Sequence, residues 1–257
     1  MFNIVKSEFY KLIISKPFRF CVLVSAVLAV FFAIALNMGV AGRGVEDLAA
    51  IAETLSAVTM LEQTIALGFL PTLFALFVSL FVAGEFQHGT MKNYVSKGFS
   101  RNKIYFSKII VSGAAVLIML LIHILFSLLV GTIIWGFDPY GVTTASNLIA
   151  MILNQCLLWF AFSSLFTLVS FWLRSTGIAI AVNAGSVFLF SSILMALNYI
   201  IGDIITLSDF WILDNITALA SLSPEKEVLQ RGIIIGLCYL VASSVTGCIL
   251  FKKQDIK

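Results

Sequence analysis

Few side chains in this sequence are placed to do covalent chemistry. Nothing matches the phosphate-binding pattern G-x-x-x-x-G-K-[ST], and Lys97-Gly98 stands in the wrong order for it. The chain is therefore not expected to hydrolyse ATP itself. Neither H-E-x-x-H nor G-x-S-x-G occurs, and no His/Asp cluster is present. Cys21, Cys156, Cys238 and Cys248 fall within or at the edge of apolar runs, at spacings that match no metal site, and no structural disulfide is expected. His123 is the one deep titratable group, about halfway along a long apolar run, and is expected to bond a neighbouring helix. Every acid lies near the end of an apolar run, whereas a proton-coupled carrier normally buries carboxylates in its spans. The chain is not expected to be an enzyme by itself.

The sharpest single residue is Glu85, which opens the longest polar interruption between two very apolar runs, Gly84 to Lys108. That stretch carries five of the sixteen Lys and Arg residues. Gly89-Thr90 can open a short helix with the Thr90 hydroxyl as its cap. Met91, Tyr94 and Val95 then share one face, while Lys92, Asn93, Ser96 and Lys97 face away. Gly98 suits the left-handed position that ends such a helix, and Ser100 can cap the next. A helix with one greasy and one basic face, fixed between two spans, lies in the membrane surface. Glu85 is expected to pair with Arg101 or with a group on a partner protein. A buried pair there transmits motion stiffly, because breaking it leaves an uncompensated charge. The competing reading is a solvated positive loop.

Glu85-Phe86-x-x-Gly89-Thr90, followed by Lys97-Gly98-x-Ser100-Arg101-x-x-x-Tyr105-x-x-Lys108, resembles the signature after the second span of type-2 ATP-binding-cassette permeases. The small bacterial permeases of bacteriocin, lantibiotic and bacitracin self-protection are the nearest in character. The resemblance implies that residues 91–97 are a coupling helix docking into a separate cytoplasmic ATPase, which binds ATP and Mg. Glu85, Gly89, Thr90, Met91, Tyr94, Lys97 and Arg101 would then serve coupling. It implies no cofactor in this chain and a second permease subunit, identical or paralogous.

Composition sets the class. Hydrophobic residues make up 60% of the 257 and charged residues 11%, against roughly half and a quarter in soluble domains. We expect an all-α membrane protein, a single transmembrane domain over residues 1–257 with no nucleic-acid partner. Residues 1–17 read as an interfacial helix, with Phe2, Val5, Phe9, Leu12 and Ile13 at helical spacing and Pro17 marking the bend into the first span. Six runs are long enough to cross: roughly 18–40, 63–84, 105–136, 146–173, 177–201 and 232–251. The third and fourth exceed what crossing needs, so they tilt or project. With both termini inside, thirteen Lys and Arg fall on the cytoplasmic side and three outside (Arg43, Lys226 and Arg231). That places Gly84–Lys108 in the cytoplasm of a cell whose plasma membrane holds the chain.

On the outer side, residues 41–62 predict a short acidic helix, and Asp138-Pro139-Tyr140-Gly141 a tight turn. Residues 202–231 contain Phe210-Trp211-Ile212-Leu213, too apolar for water and too short to cross, so a re-entrant segment covered by protein is expected. The family likewise places short re-entrant helices there. Within the spans, Thr72, Asn183, Ser186 and Asn198 are candidates for a cleft, and Gly177, Ala181 and Gly185 form a small-residue stripe for a subunit interface. Ordinary packing within one subunit is the alternative for each. The expected function is the permease subunit of an ATP-driven exporter, its cargo an amphipathic antimicrobial peptide or a hydrophobic drug, as the resemblance implies. The alternatives are a secondary carrier and a non-transporting immunity or sensor subunit.

Overall fold

In hydrocarbon a backbone must satisfy its own hydrogen bonds, and long apolar runs without alternation do so as helices. A computed structural model describes residues 2–41, 55–66, 69–139, 141, 144–201 and 207–253, and among them there is no strand. The helices are α1 (Phe2–Ile14), α2 (Lys16–Ala41), α3 (Ala57–Ala66), α4 (Phe69–Gln87), α5 (Thr90–Ser96), α6 (Arg101–Trp135), α7 (Ala145–Leu173), α8 (Thr176–Ile201), α9 (Ile212–Ala218) and α10 (Lys226–Lys253). Six of them, α2, α4, α6, α7, α8 and α10, are long and apolar enough to cross a membrane. The fold is an all-α, six-span membrane bundle.

α4, α6 and α7 make its centre, each more than half buried, while α2, α8 and α10 bury under a quarter of their spans. α6 runs for 35 residues, about 52 Å at 1.5 Å per residue, so it extends well past a hydrocarbon core of about 30 Å. Aromatic rings fill the middle. Trp159 meets Phe74 edge-on at 4.9 Å, and Phe171 touches both Tyr105 and Phe251 at 4.9 Å. Polar groups inside the spans find partners across helices: Ser112 with Thr167 at 2.9 Å, Ser164 with Ser243 at 2.6 Å. His123 lies 3.2 Å from the Ser25 carbonyl on α2, the neighbouring-helix bond expected of it.

Two boundaries differ from the sequence reading besides that of the last span, which begins at Lys226 rather than about 232. The second span begins at Phe69, because residues 57–66 form the separate helix α3. α3 is apolar and buried, its start held by the Ala57 N–H to the Gly136 carbonyl at 3.0 Å and packed against Gly131, where an added Cβ would stand 2.8 Å from the Ala57 backbone. The acidic part of the expected outer helix, Glu46, Asp47 and Glu53, lies outside the described residues. Second, the chain bends at Ser15 rather than Pro17. The Ser15 hydroxyl accepts the Phe18 N–H at 3.3 Å and caps α2, leaving Pro17 in the first turn where its missing N–H costs nothing. α1 buries Ile4, Glu8 and Leu12, half-buries Val5 and Phe9, and leaves Phe2 and Ile13 exposed. A charged residue, Glu8, thus stands between two apolar ones on its inward face.

The turn at Asp138 is closed by the Gly141 N–H to the Asp138 carbonyl at 3.2 Å. The segment between α8 and α10 folds back against the bundle as a 3-10 turn (Leu207–Phe210) followed by α9. Trp211, Ile212 and Ile216 are buried, and Gln155 Nε2 donates to the Ile216 carbonyl at 2.8 Å, so the protein covers this short backbone as its sequence demands.

Candidate functional site

The α5 helix is fixed at both ends by glycine. Gly89 enters at φ 69°, and Gly98 leaves at φ 77°, values that a side chain would strain. Thr90 is the first helical residue rather than the cap; its hydroxyl donates back to the Glu85 carbonyl at 3.1 Å. At the other end the Gly98 N–H bonds the Val95 carbonyl at 3.0 Å and the Phe99 N–H bonds the Tyr94 carbonyl at 3.3 Å. That is the Schellman pattern, with its hydrophobic contact supplied by the Tyr94 and Phe99 rings at 6.2 Å. Ser100 caps α6 by position, without a side-chain bond. The two faces are as the spacing predicts: Met91 is buried, Tyr94 and Val95 are half-buried, and Lys92, Asn93, Ser96 and Lys97 are exposed.

Beneath the greasy face lies a group of charges from three helices. Glu8 of α1, Glu85 of α4 and Lys108 of α6 meet there with Lys11 of α1. Lys11 Nζ stands 2.9 Å from Glu8 Oε1 and 2.8 Å from Glu85 Oε1, and Lys108 Nζ stands 2.9 Å from Glu85 Oε2. Lys108 also donates to Glu8 Oε2, and both side chains are sealed from solvent, at 0% and 1% exposure. Tyr94 joins α5 to the group: its hydroxyl donates to Glu8 Oε1 at 2.5 Å, and the Lys11 ammonium sits 4.6 Å from its ring centre. The Lys108 ammonium lies 4.3 Å from the Phe81 ring centre.

Burial on its own would raise the Glu8 carboxyl. The charge and hydrogen bond of Lys108 outweigh it, with Tyr94 and Lys11 adding to them, so Glu8 is held below the ordinary carboxylate range. Burial would lower Lys11, but Glu85 and Glu8 hold it above the usual ammonium value. The Tyr94 hydroxyl is raised by burial and by its bond to Glu8. Two acids and two bases thus meet here, with Glu8 and Lys108 sealed from water and Lys11 at the edge of the group.

This arrangement corrects the expected partner of Glu85. Arg101 does not pair with it; Arg101 Nη1 donates to the Phe251 and Lys252 carbonyls at 3.1 and 2.8 Å, capping the end of α10. Lys108, two turns further along α6, reaches Glu85 instead, and α1 brings Lys11. Sequence reasoning missed Glu8, Lys11 and Lys108 as members of this group. The signal was there: an acid among the lysines of α1, and a lysine leading into the apolar run from Ile109. Lys97 is outside the group and lines, with Asn93, Tyr94, Thr90, Ser7 and Lys11, a cavity of about 350 Å³ between α1 and α5.

The candidate cleft residues do not gather in one place. Asn183 is buried inside the bundle, its Nδ2 donating to Ser79 Oγ at 2.8 Å and lying 3.2 Å from both the Phe166 carbonyl and Ser170 Oγ. It ties α8 to α4 and α7. Ser186 donates to the Asn183 carbonyl at 2.8 Å. Thr72 Oγ1 is buried and has no hydrogen-bond partner among the described residues. Asn198, at the far end of α8, clasps the 3-10 turn through Ser208 Oγ at 2.9 Å and the Leu207 N–H at 2.7 Å. Gly177 and Ala181 are exposed and Gly185 half-buried, and at both glycines an added Cβ would meet open space.

No curated protein matches the chain. Residues 29–257 match the family model described as "Protein of unknown function (DUF2705)", and the chain belongs to that family.

Proposed function

We infer that this chain is the membrane permease subunit of an ATP-driven exporter, which couples through α5 to a separate ATPase. The observation that carries the reading is the mounting of α5. A seven-residue helix and the residue that caps it present four polar side chains outward, and Tyr94 bonds the helix from behind to Glu8 of α1. Glu8 pairs with Lys108 of α6, while Lys11 of α1 pairs with Glu85 of α4. A load applied to the outward face passes to α1 and through its charges to α4 and α6, as a coupling element requires. The charge bias of the loops supports a cytoplasmic position for α5 and for both termini in a bacterial cell membrane. A second permease subunit would complete the translocation path, and the open small-residue stripe of α8 suits close helix approach. The motif from Glu85 to Lys108 supports the exporter class, with an amphipathic antimicrobial peptide or a hydrophobic drug as cargo.

The test is cross-linking. Cysteine placed at Asn93 or Lys97, in membranes of the native cell, should capture an ATPase chain, and the capture should change with nucleotide. Labelling of either cysteine only from the external face would overturn the reading.

A further inference from the structure

At the end of the bundle away from α5, a cavity of about 390 Å³ opens between α8 and the folded-back segment. Ser191, Met195 and Asn198 line one wall at i, i+4 and i+7 of α8; Ser208, Asp214 and Thr217 line the other, the last two at i and i+3 of α9. Most of the polar lining is already satisfied. Ser191 Oγ accepts Trp211 Nε1 at 3.0 Å and donates to the Val187 carbonyl at 3.2 Å. Asn198 and Ser208 bond each other, and Thr217 Oγ1 donates to the Asp214 carbonyl at 2.8 Å.

The Asp214 carboxylate is the exception. Among the described residues it has no hydrogen-bond or ion-pair partner, and Arg231 is engaged with Asp209 at 2.8 Å. Residues 202–206, Gly-Asp-Ile-Ile-Thr, contain an acid and no base. Burial raises the Asp214 carboxyl above its ordinary range, and the nearby Asp209 raises it further. A carboxylate in that condition is stabilised by an arriving cation. Beside the cavity the surface is apolar and open: Met195, Tyr199 and Ile200 are 76%, 91% and 77% exposed. An anionic recess with a greasy margin has the chemistry of a receptor for a charged head on an apolar body.

We propose that this cavity binds the cationic head group of an amphiphile, with Asp214 as its counter-ion and the exposed face of α8 against its apolar part. The proposal deepens the export reading by assigning a charge to the cargo and a place where it is met. An ammonium head can come from a free amphiphile or from an aminophospholipid, and the experiment separates them.

The full-length chain in dodecyl maltoside, without any ATPase, is titrated with radiolabelled tetradecyltrimethylammonium, with myristate as the anionic control. Saturable binding of the cation and none of myristate is expected, weakened about tenfold or more by Asp214→Asn and unchanged by Glu225→Gln at an exposed acid. Thr217→Lys, an exposed site that tolerates change, should abolish binding by placing its own ammonium against Asp214. Competition by added phosphatidylethanolamine supports the site with a lipid occupant; its absence supports the site with a free amphiphile. Equal binding of myristate, or undiminished binding by folded Asp214→Asn and Thr217→Lys variants, overturns the proposal. Because no motor is present, such a failure leaves the coupling role of α5 intact, and a missing ATPase partner would leave this binding intact.

Discussion

Glu8 and Lys108, 100 positions apart, form an ion pair from which solvent is excluded, and Glu85 and Lys11 close the group around them. Two unlike charges buried together contribute little net stability over an apolar pair, but stranding one of them is costly. The pair therefore fixes where α1 sits rather than how stable the bundle is.

That asymmetry is measurable. Glu8→Ala or Lys108→Ala should each cost about 3–5 kcal/mol, read as a fall in the unfolding temperature of the solubilised protein. Glu8→Leu combined with Lys108→Met should recover much of the loss, since no lone charge remains between α1 and α6. Single variants as stable as the parent would show that the pair is not closed to water.

The same group sets a pH window. A carboxyl held below its ordinary value contributes stability that is full above the unfolded pKa, about 4.3, and is lost as pH falls through the folded value. Lys11 is held above its ordinary value, so its contribution is full below about 10.4 and is lost as pH rises beyond that. The unfolding temperature should be level between these limits and fall on the acid side. In Glu8→Gln the acid-side fall should flatten; an unaltered profile would mean that another group controls it.

If the chain is the permease proposed, transport should depend on the link between α5 and α1. Tyr94→Phe removes the hydroxyl that bonds Glu8 at 2.5 Å but keeps the ring over Lys11. The variant should insert, and the proposed partner ATPase should still bind it and hydrolyse ATP, without cargo being moved. Glu85→Ala, which leaves Lys11 and Lys108 one acid short, should do the same more severely. Parental resistance to the exported compound in cells carrying Glu85→Ala would defeat the coupling role.

A contact outside the charge group gives a further check. At Gly247 of α10 an added Cβ would fall 2.0 Å from the Tyr105 hydroxyl oxygen, and Tyr105 donates to the Ser243 carbonyl at 2.9 Å. Gly247→Ala should destabilise by about 1–3 kcal/mol through overpacking, and Tyr105→Phe by about 1 kcal/mol. Combined, they should cost less than their sum, because the phenylalanine relieves part of the clash. Strict additivity in thermal unfolding would argue that the two helices are not in contact.

The spans were legible because apolar length alone decides them, and both faces of α5 were legible because Met91, Tyr94 and Val95 repeat at helical spacing. The inward face of α1 was not. Helical spacing picks out Val5, Phe9 and Leu12, but Glu8 is drawn inward by Lys108, a residue no local pattern connects to it. α3 was read as the start of the second span because its composition is equally apolar, and only its packing on Gly131 and Gly136 sets it apart. Asn183 could be marked as needing partners, but whether they lie inside one subunit or across two is a matter of helix rotation that the sequence does not encode locally.

With glycine joints at both ends of α5 and its rear side locked, residues 92, 93, 96 and 97 have no structural duty inside the bundle. They are free to diverge. If α5 couples to an ATPase as proposed, a population could exchange one nucleotide-driven engine for another by rewriting four outward side chains, leaving the transmembrane machinery as it was.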